Sequence, residues 1–175
     1  MKYFTGVGSR ETPEHICGIV KQISLKLSED NWILRSGGAD GADLAFQGGT
    51  TEDITPEIYL PWYGFNNLYS TESLLFPKFW DNWHEAEALA SEVHPAWDKL
   101  SDGAKALHTR NCYQVLGKDL ETPSKFLICW AKETKSGEIS GGTRTAVVLA
   151  QQNNIPIYNL WYDEVQSRFQ RYLEG

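Results

Sequence analysis

The sequence predicts an α/β fold built on a doubly wound parallel sheet of about five strands, flanked by helices. Three observations predict it. Apolar, strand-like runs alternate with segments of helical periodicity along the chain. Three glycine turns each follow a strand-like run and lead into a helix. With 175 residues, of which 41% are hydrophobic, the chain fits a single domain over residues 1–175.

The first half of the chain contains three predicted strands and two helices. Residues 2–7 form an apolar strand, and apolar residues at helical spacing then predict a helix that ends near Asn31. The second strand covers 32–36, and the short segment 41–49 predicts a helix that ends in glycine. Residues 56–62 form the third strand.

The second half begins with a long aromatic segment, 63–80, whose length is typical of a binding loop or lid. A helix at 81–92 follows, and another begins at Ser101, a predicted N-cap. The fourth strand is predicted at 125–131.

A glycine turn and a helix then lead to the fifth strand, at 155–161, and to a closing amphipathic helix. Because crossover connections between parallel strands are right-handed, we expect the strand order 3-2-1-4-5, a Rossmann-like arrangement.

The net charge and the cysteine spacing limit the classes of function that the chain can have. The net charge is −7, so we expect no non-specific binding of long nucleic acid, which needs clustered Lys and Arg. Cys17, Cys112 and Cys129 show no C-x-x-C spacing and are interpreted as structural thiols of a reduced compartment. No signal peptide or membrane span is predicted, so a cytoplasmic location is expected.

Three glycine turns are the strongest local signal for a binding site. They are GVGSR at 6–10, SGGADGAD at 36–43 and SGGTRT at 140–145. Glycine lets the backbone approach a ligand closely, and the following helix N-terminus offers free N–H groups. Ligands of open parallel sheets bind at the carboxyl ends of strands where the strand order reverses. The turns therefore predict a pocket for an anionic ligand.

Charged residues near these turns fit the same chemistry. Arg10 and Arg144 follow glycine turns and are candidates for gripping a phosphate. Arg110 is predicted either to reach this crevice or to cap its own helix. Asp40 is predicted to cap the second helix, and Asp43 to accept hydrogen bonds from a ribose or a base.

No catalytic motif, metal site or cofactor is predicted. The segment HEAEA at 84–88 lacks the second histidine of the zinc motif H-E-x-x-H, and His84 and His94 are interpreted as surface residues. Cys112 lies on one helix with His108 and Arg110, and it is interpreted as a packing residue rather than a nucleophile.

The segments FTGVGSRETP, ILRSGGADGADLAF, YLPW, HTRNCYQVLG and SGGTRTAVVLAQQNNIPIYNL together resemble the SLOG superfamily. This Rossmann-like group contains the DNA-processing protein A (DprA) fold and the LOG nucleotide hydrolases. The chain looks most like small DprA-like proteins of bacteriophages, and location would then be the host cytoplasm. The resemblance implies a nucleotide site that includes the Arg110–Asn111 pair. Together with the residue-based candidates, the predicted ligand-binding residues are Gly6, Gly8, Ser9, Arg10, Gly37, Gly38, Ala39, Asp40, Gly41, Asp43, Arg110, Asn111, Gly141, Gly142, Thr143, Arg144 and Thr145.

Three functions are compatible with these residues. The first is a non-catalytic binder of a nucleotide or nucleotide-derived signal, which by analogy could sequester a signalling nucleotide in phage–host defence. The second is a nucleotide N-glycosidic hydrolase. LOG hydrolases carry P-G-G-x-G-T-x-x-E, and Val148 stands here in place of the glutamate, so Asp43 or Glu138 would have to replace it.

The third is a DprA-like module for single-stranded DNA, with Trp62, Tyr63, Phe65 and Tyr69 stacking on bases. Self-association into a homo-oligomer is also expected, because SLOG proteins commonly pair and aromatic residues are frequent in interfaces.

Overall fold

A computed structural model describes residues 1–139 and 141–175 of the chain. Its strands form one six-stranded sheet in which every neighbouring pair is parallel. The strands are β1 (Lys2–Gly8), β2 (Trp32–Ser36), β3 (Glu57–Tyr59), β4 (Leu74–Leu75), β5 (Leu127–Trp130) and β6 (Ile157–Asn159). Their order across the sheet is β4-β3-β2-β1-β5-β6, so the order reverses between β1 and β5.

The prediction of a doubly wound parallel sheet is confirmed, with one strand more than expected. The five predicted strands stand in the predicted spatial order. The additional strand β4 lies inside the predicted aromatic loop and extends the sheet beyond β3 through the pairs Ile58–Leu74 and Tyr59–Leu75. Two residues are too few to show an alternating pattern in the sequence, so only the contact with β3 identifies this strand.

Six α-helices cover the sheet. They are α1 (Glu14–Glu29), α2 (Ala42–Gly48), α3 (Trp83–Val93), α4 (Asp102–Leu116), α5 (Arg144–Gln152) and α6 (Asp163–Glu174). Ser101 caps α4 as predicted, because its Oγ accepts the N–H of Ala104 at 3.2 Å. In the part of the chain that the structure describes, each helix is too short or too polar to cross a membrane.

The two faces of the sheet carry separate apolar cores. On one face α1, α2 and α6 cover a cluster that includes Phe4, Ile23 and Phe46, which are at most 1% exposed. On the other face α3, α4 and α5 pack over Leu127 and Cys129. Helices on both faces explain why the central strands read as continuous apolar runs in the sequence.

A buried arginine joins the middle of the sheet to the segment before β5. Arg35 of β2 is 2% exposed and contacts the Glu57 carboxylate at 3.2 Å. Its Nη1 donates to the Thr122 carbonyl at 2.6 Å and to Ser124 Oγ at 3.2 Å. The guanidinium also lies over the Tyr3 ring, 3.9 Å from its centroid. Arg35 is therefore enclosed by partners, as a buried cation must be.

Candidate functional site

A cleft of about 800 Å³ opens at the carboxyl ends of β1 and β5, where the strand order reverses. The strand ends are joined there by a hydrogen bond from the Ser9 N–H to the Trp130 carbonyl, 3.1 Å long. Val7 and Gly8 of β1 and Trp130 of β5 line the cleft. This is the position in which open parallel sheets bind their ligands.

The first two glycine turns touch each other beside this cleft. The Ala42 N–H of the second turn donates to the Ser9 carbonyl of the first, at 3.4 Å. Gly41 makes the close approach possible. Its φ is +81°, which side chains disfavour, and a Cβ there would lie 2.5 Å from the Ser9 carbonyl oxygen.

Helix α4 connects the second and third turns through adjacent residues. Arg110 Nη1 donates to the carbonyl of Gly37 at 2.6 Å and to that of Tyr59 at 2.9 Å. Asn111 Nδ2 donates to the carbonyl of Gly142 at 2.6 Å, while its Oδ1 accepts from Arg110 Nε at 2.9 Å. The three turns thus converge at the carboxyl ends of the strands. Ser140, which begins the third predicted turn, lies outside the described residues.

Asp43 is the buried carboxylate of the cleft. It is 4% exposed, and its Oδ2 accepts the N–H of Ala39 at 3.3 Å. Its Oδ1 is buried and makes no hydrogen bond of good geometry with the described residues, although the Gly8 N–H also acts on the carboxylate. Burial raises the pKa of Asp43 to about 6, although Arg110 and backbone N–H groups act in the opposite direction. A fraction of Asp43 therefore carries a proton near neutral pH.

Arg110 provides the opposite charge and is itself buried, at 5% exposure. Burial lowers its pKa to about 10, and Asp43 counteracts part of that shift. Arg110 therefore stays cationic at neutral pH, and its Nε and Nη1 are already bonded to protein atoms. Arg110 is among the residues that line the cleft, and its bonds hold the turns and balance Asp43.

Two histidines, His94 and His108, form part of the cleft wall. His108 Nδ1 lies 2.8 Å from Thr145 Oγ1, and its ring packs edge-on against His94 with the centroids 4.7 Å apart. Burial and the neighbouring cations lower the pKa of His108 to about 4, so it is neutral at pH 7. His94 Nδ1 accepts the N–H of Ala96 at 3.1 Å, which leaves Nε2 as its hydrogen-bond donor.

Basic side chains dominate the mouth of the cleft. We call Arg10, Lys132 and Arg144 the basic rim. Arg144 begins α5, whose N-terminal N–H groups carry a partial positive charge, and its Nη1 donates to the Val93 carbonyl at 2.9 Å. Glu11 and Glu138 also line the mouth. With Arg110 counted, the cleft collects four cations in a chain of net charge −7.

Most of the predicted ligand-binding residues line the cleft. These are Gly8, Ser9, Arg10, Ala39, Asp43, Arg110, Asn111, Gly141, Gly142, Thr143 and Arg144. The others do not appear in its described lining: Gly6, Gly37, Gly38, Asp40, Gly41 and Thr145. Their positions support the site from behind. A Cβ on Gly6 would collide with the Phe46 ring, and one on Gly37 with the side chains of Gln114 and Arg110.

The expected helix cap at Asp40 is wrong. The N-cap of α2 is Gly41, with no side-chain capping bond, and Asp40 is exposed. Its Oδ1 instead accepts from Asn66 Nδ2 at 3.0 Å. Asp43 is the carboxylate that bonds the backbone at this helix, because its side chain reaches back to Ala39.

Sequence reasoning missed several residues of the cleft, among them Lys132 of the basic rim, Gln114 and His94. Gln114 of α4 is 1% exposed and lines it, and its Oε1 is buried without a described partner. Its spacing was a usable signal, because Leu107, Arg110 and Gln114 share one face of a helix. His94 was interpreted as a surface residue, but it is half-buried in the cleft wall. It lies after the end of α3, where no periodicity could place it.

Cys112 is a packing residue, as interpreted from the sequence. It is fully buried, and its Sγ lies 3.5 Å from the Ala86 carbonyl oxygen. Burial raises the pKa of the Cys112 thiol to about 12, which removes the thiolate that a nucleophile needs. Within residues 1–139 and 141–175, no cluster of His, Cys, Asp and Glu is suited to binding a metal ion.

The aromatic segment lies outside the described lining of the cleft. Phe65 is buried, and its ring faces the Arg110 guanidinium at 5.3 Å, so it packs behind the site. Tyr63 and Tyr69 are 59% and 53% exposed, and their rings pack together with centroids 5.4 Å apart. Trp62 is 37% exposed and packs edge-on against Phe65. The roles predicted for these rings in stacking or self-association stay predictions.

Comparison with known proteins adds one structural likeness. No family model matches the sequence, and no curated protein matches it. A solved structure of DNA processing protein A from Helicobacter pylori, described for its unique single-stranded DNA binding mode, is similar to this chain. The two share 14% sequence identity, with 99% of this chain and 80% of the other covered, at a TM-score of 0.41.

Proposed function

We propose that this protein binds a nucleotide or a nucleotide-derived small molecule in the cleft between β1 and β5. The observation that carries the proposal is the convergence of three glycine turns, the N-terminus of α5 and the basic rim around one cleft. Backbone N–H groups and arginines are the groups that bind phosphate. The volume of about 800 Å³ is within the range of small-molecule sites.

The charge of the chain supports a small ligand over a long one. The described cleft lining holds four cations against three carboxylates, whereas the whole chain carries a net charge of −7. A short anion can reach the rim without crossing the acidic surface. A polymer of phosphates would meet that surface along its length. Sequestration of a signalling nucleotide would need nothing more than such a site.

Titration calorimetry with mono-, cyclic and dinucleotides tests the proposal. We expect at least one of them to bind, and Arg10→Met and Arg144→Met each to weaken that binding at least about tenfold. Arg168→Met is the matched control, because Arg168 is an exposed arginine of α6 outside the cleft lining. It should leave the affinity unchanged.

Two results would contradict the proposal. One is the absence of heat with every nucleotide of the panel at high protein concentration. The other is tight binding of a single-stranded DNA oligonucleotide with a steep salt dependence and no response to Arg144→Met, which would favour the DNA-binding alternative.

Asp43 favours a second candidate, the hydrolysis of a nucleotide N-glycosidic bond. In that reaction water replaces the base at C1′, and the departing base nitrogen takes up a proton. A buried carboxyl with a pKa of about 6 and an unbonded oxygen is suited to supplying that proton. Release of free base from AMP, abolished by Asp43→Asn and retained by Glu138→Gln, would establish this activity. Intact AMP after prolonged incubation would eliminate it for that substrate.

A further inference from the structure

Three buried polar side chains lie together in the cleft, and we call them the polar floor. Asp43, Arg110 and Gln114 are 4%, 5% and 1% exposed. The Gly37 backbone contacts both Arg110 and Gln114, and the Arg110 charge acts directly on Asp43. Arg110 is held by the carbonyls of Gly37 and Tyr59, and Asp43 Oδ2 accepts the N–H of Ala39.

The polar floor holds two hydrogen-bond acceptors that the described protein atoms leave unused. They are Asp43 Oδ1 and Gln114 Oε1, each with almost no accessible surface. Leaving a buried polar atom without a partner costs about 1–3 kcal/mol. The free protein gives these two atoms of the cleft no partner, and a ligand supplies the missing donors if the two side chains turn towards the cleft on binding. A third unpartnered oxygen, Gln47 Oε1, lies outside the described cleft lining.

The chemistry of the two acceptors determines which part of a nucleotide can meet them. Ionised phosphate oxygens only accept hydrogen bonds, so the phosphate belongs at the basic rim. A base needs flat apolar or aromatic walls as well as polar groups. The rings of the described cleft lining belong to His94, His108 and Trp130 rather than to the floor, so a base would stack there. A pair of sugar hydroxyls needs only acceptors.

We infer that the polar floor binds the ribose hydroxyls of the ligand, so that the site selects ribonucleotides over 2′-deoxyribonucleotides. The ribose O–H groups donate to Asp43 Oδ1 and Gln114 Oε1, and the phosphate lies towards the basic rim. This inference rests on the proposed function and adds the substrate class and the orientation of the ligand.

The test compares AMP, GMP, CMP and UMP with dAMP, dGMP, dCMP and dUMP by calorimetry on the wild-type protein. For the bases that bind, we expect the ribose form to bind about 10- to 100-fold more tightly, because the deoxy form lacks the 2′-hydroxyl that donates to Gln114 Oε1 and leaves that buried oxygen unpaired. Equal affinities within about threefold would overturn the inference while leaving nucleotide binding intact. Binding of none of the eight, and of none of the cyclic and dinucleotides in the panel above, would remove the proposed function as well.

Two variants then test whether the polar floor causes the preference for ribonucleotides. Gln114→Met removes one acceptor at nearly constant volume, and it should weaken ribonucleotide binding while leaving deoxyribonucleotide binding nearly unchanged. Gln47→Met is the matched control, because it removes the unpartnered oxygen outside the cleft, and it should keep the full preference. Loss of the preference in both variants would overturn the assignment to the floor.

A base amino group is the other donor that could meet these oxygens. In that case CMP, which carries an exocyclic amino group, would bind more tightly than UMP, and AMP more tightly than IMP, with no effect of the 2′-hydroxyl. That result would overturn the ribose assignment. Because the wild-type comparison needs no variant, misfolding of Gln114→Met would not prevent the test.

Discussion

The two buried arginines of this protein differ in whether the polar groups beside them are all paired. Arg35 is surrounded by a carboxylate, a carbonyl, a hydroxyl and an aromatic face. Arg110 is held by two carbonyls and Asn111, but its carboxylate neighbour Asp43 keeps an oxygen without a partner, and so does Gln114. Both arginines are at most 5% exposed, so burial alone does not distinguish them.

The difference separates a structural network from a binding site. A buried network without unused acceptors keeps the protein folded and leaves no acceptor for a ligand. A network with unused acceptors beside an open cleft lowers stability in the free protein and has capacity left for a ligand. Substitutions in the two networks should therefore have opposite effects on stability and different effects on binding.

The largest effect is expected from Arg35→Met. It leaves the Glu57 carboxylate, which is 14% exposed, without its cation. Breaking a buried ion pair in this way costs about 3–5 kcal/mol, so the free energy of unfolding should fall by that amount in urea titrations. Arg168→Met serves as the exposed control. A loss below about 1 kcal/mol would show that Arg35 is no more important than a surface charge.

Asp43→Asn is expected to act in the opposite direction. The pKa of Asp43 is raised from 3.8 to about 6, so its ionised form is disfavoured in the folded protein. At about pH 8 the variant should unfold with a free energy roughly 1–3 kcal/mol higher than the wild type, because about 1.4 kcal/mol corresponds to each pKa unit. The same variant should bind the best nucleotide more weakly. A variant that loses both stability and binding would contradict this.

The gain in unfolding free energy that Asp43→Asn brings should shrink as the pH falls. The folded protein binds the Asp43 proton more tightly than the unfolded chain does, so the penalty is complete above about pH 6 and fades towards pH 4. The difference in unfolding free energy between variant and wild type should shrink over that interval. His108 titrates in both proteins, so its contribution cancels.

His108 is expected to have a smaller effect of the reverse sign. Burial lowers its pKa from 6.5 to about 4, so the unfolded chain takes up a proton that the folded protein excludes. The contribution of neutral His108 to the free energy of unfolding is complete above about pH 6.5. It falls by roughly 1–2 kcal/mol on acidification towards pH 4. His108→Gln should remove this part of the acid sensitivity in denaturant titrations across pH. An unchanged pH profile in the variant would assign the sensitivity to other groups.

Gln114→Met should have the smallest effect on stability. It removes a buried oxygen without a described partner at nearly constant volume, so we expect a gain of about 1 kcal/mol in unfolding free energy. Gln47→Met should give a similar or smaller gain, and thermal unfolding of the two variants measures both. Loss of stability in Gln114→Met would indicate that this side chain is bonded in the free protein.

The sequence predicted the sheet and the position of the cleft at the carboxyl ends of its strands, because local signals and topology agree on both. Gly8, Gly41 and Gly142 follow or precede regular elements, so parallel strands bring their turns to one edge. Gln114 and His94 were missed for a different reason. Their inclusion depends on how α4 and the segment after α3 pack over the sheet, and that packing is set by contacts far apart in the chain.

Asp40 and Asp43 show that prediction from sequence can also fail between residues that are close in the chain. Both lie within one turn of the start of α2, and propensity favours the earlier residue as the cap. Gly41, with its positive φ, redirects the backbone between them, so that Asp43 rather than Asp40 faces the backbone of the turn. A single backbone angle thus decides which carboxylate enters the cleft.

The two-residue length of β4 has a consequence for behaviour at high concentration. An edge strand presents unpaired main-chain groups on which another molecule can add a strand, and long flat edges promote aggregation. Here the sheet ends at Leu74–Leu75 on one side and at Ile157–Asn159 on the other. Such short borders offer a poor template for intermolecular β-pairing, which favours colloidal stability.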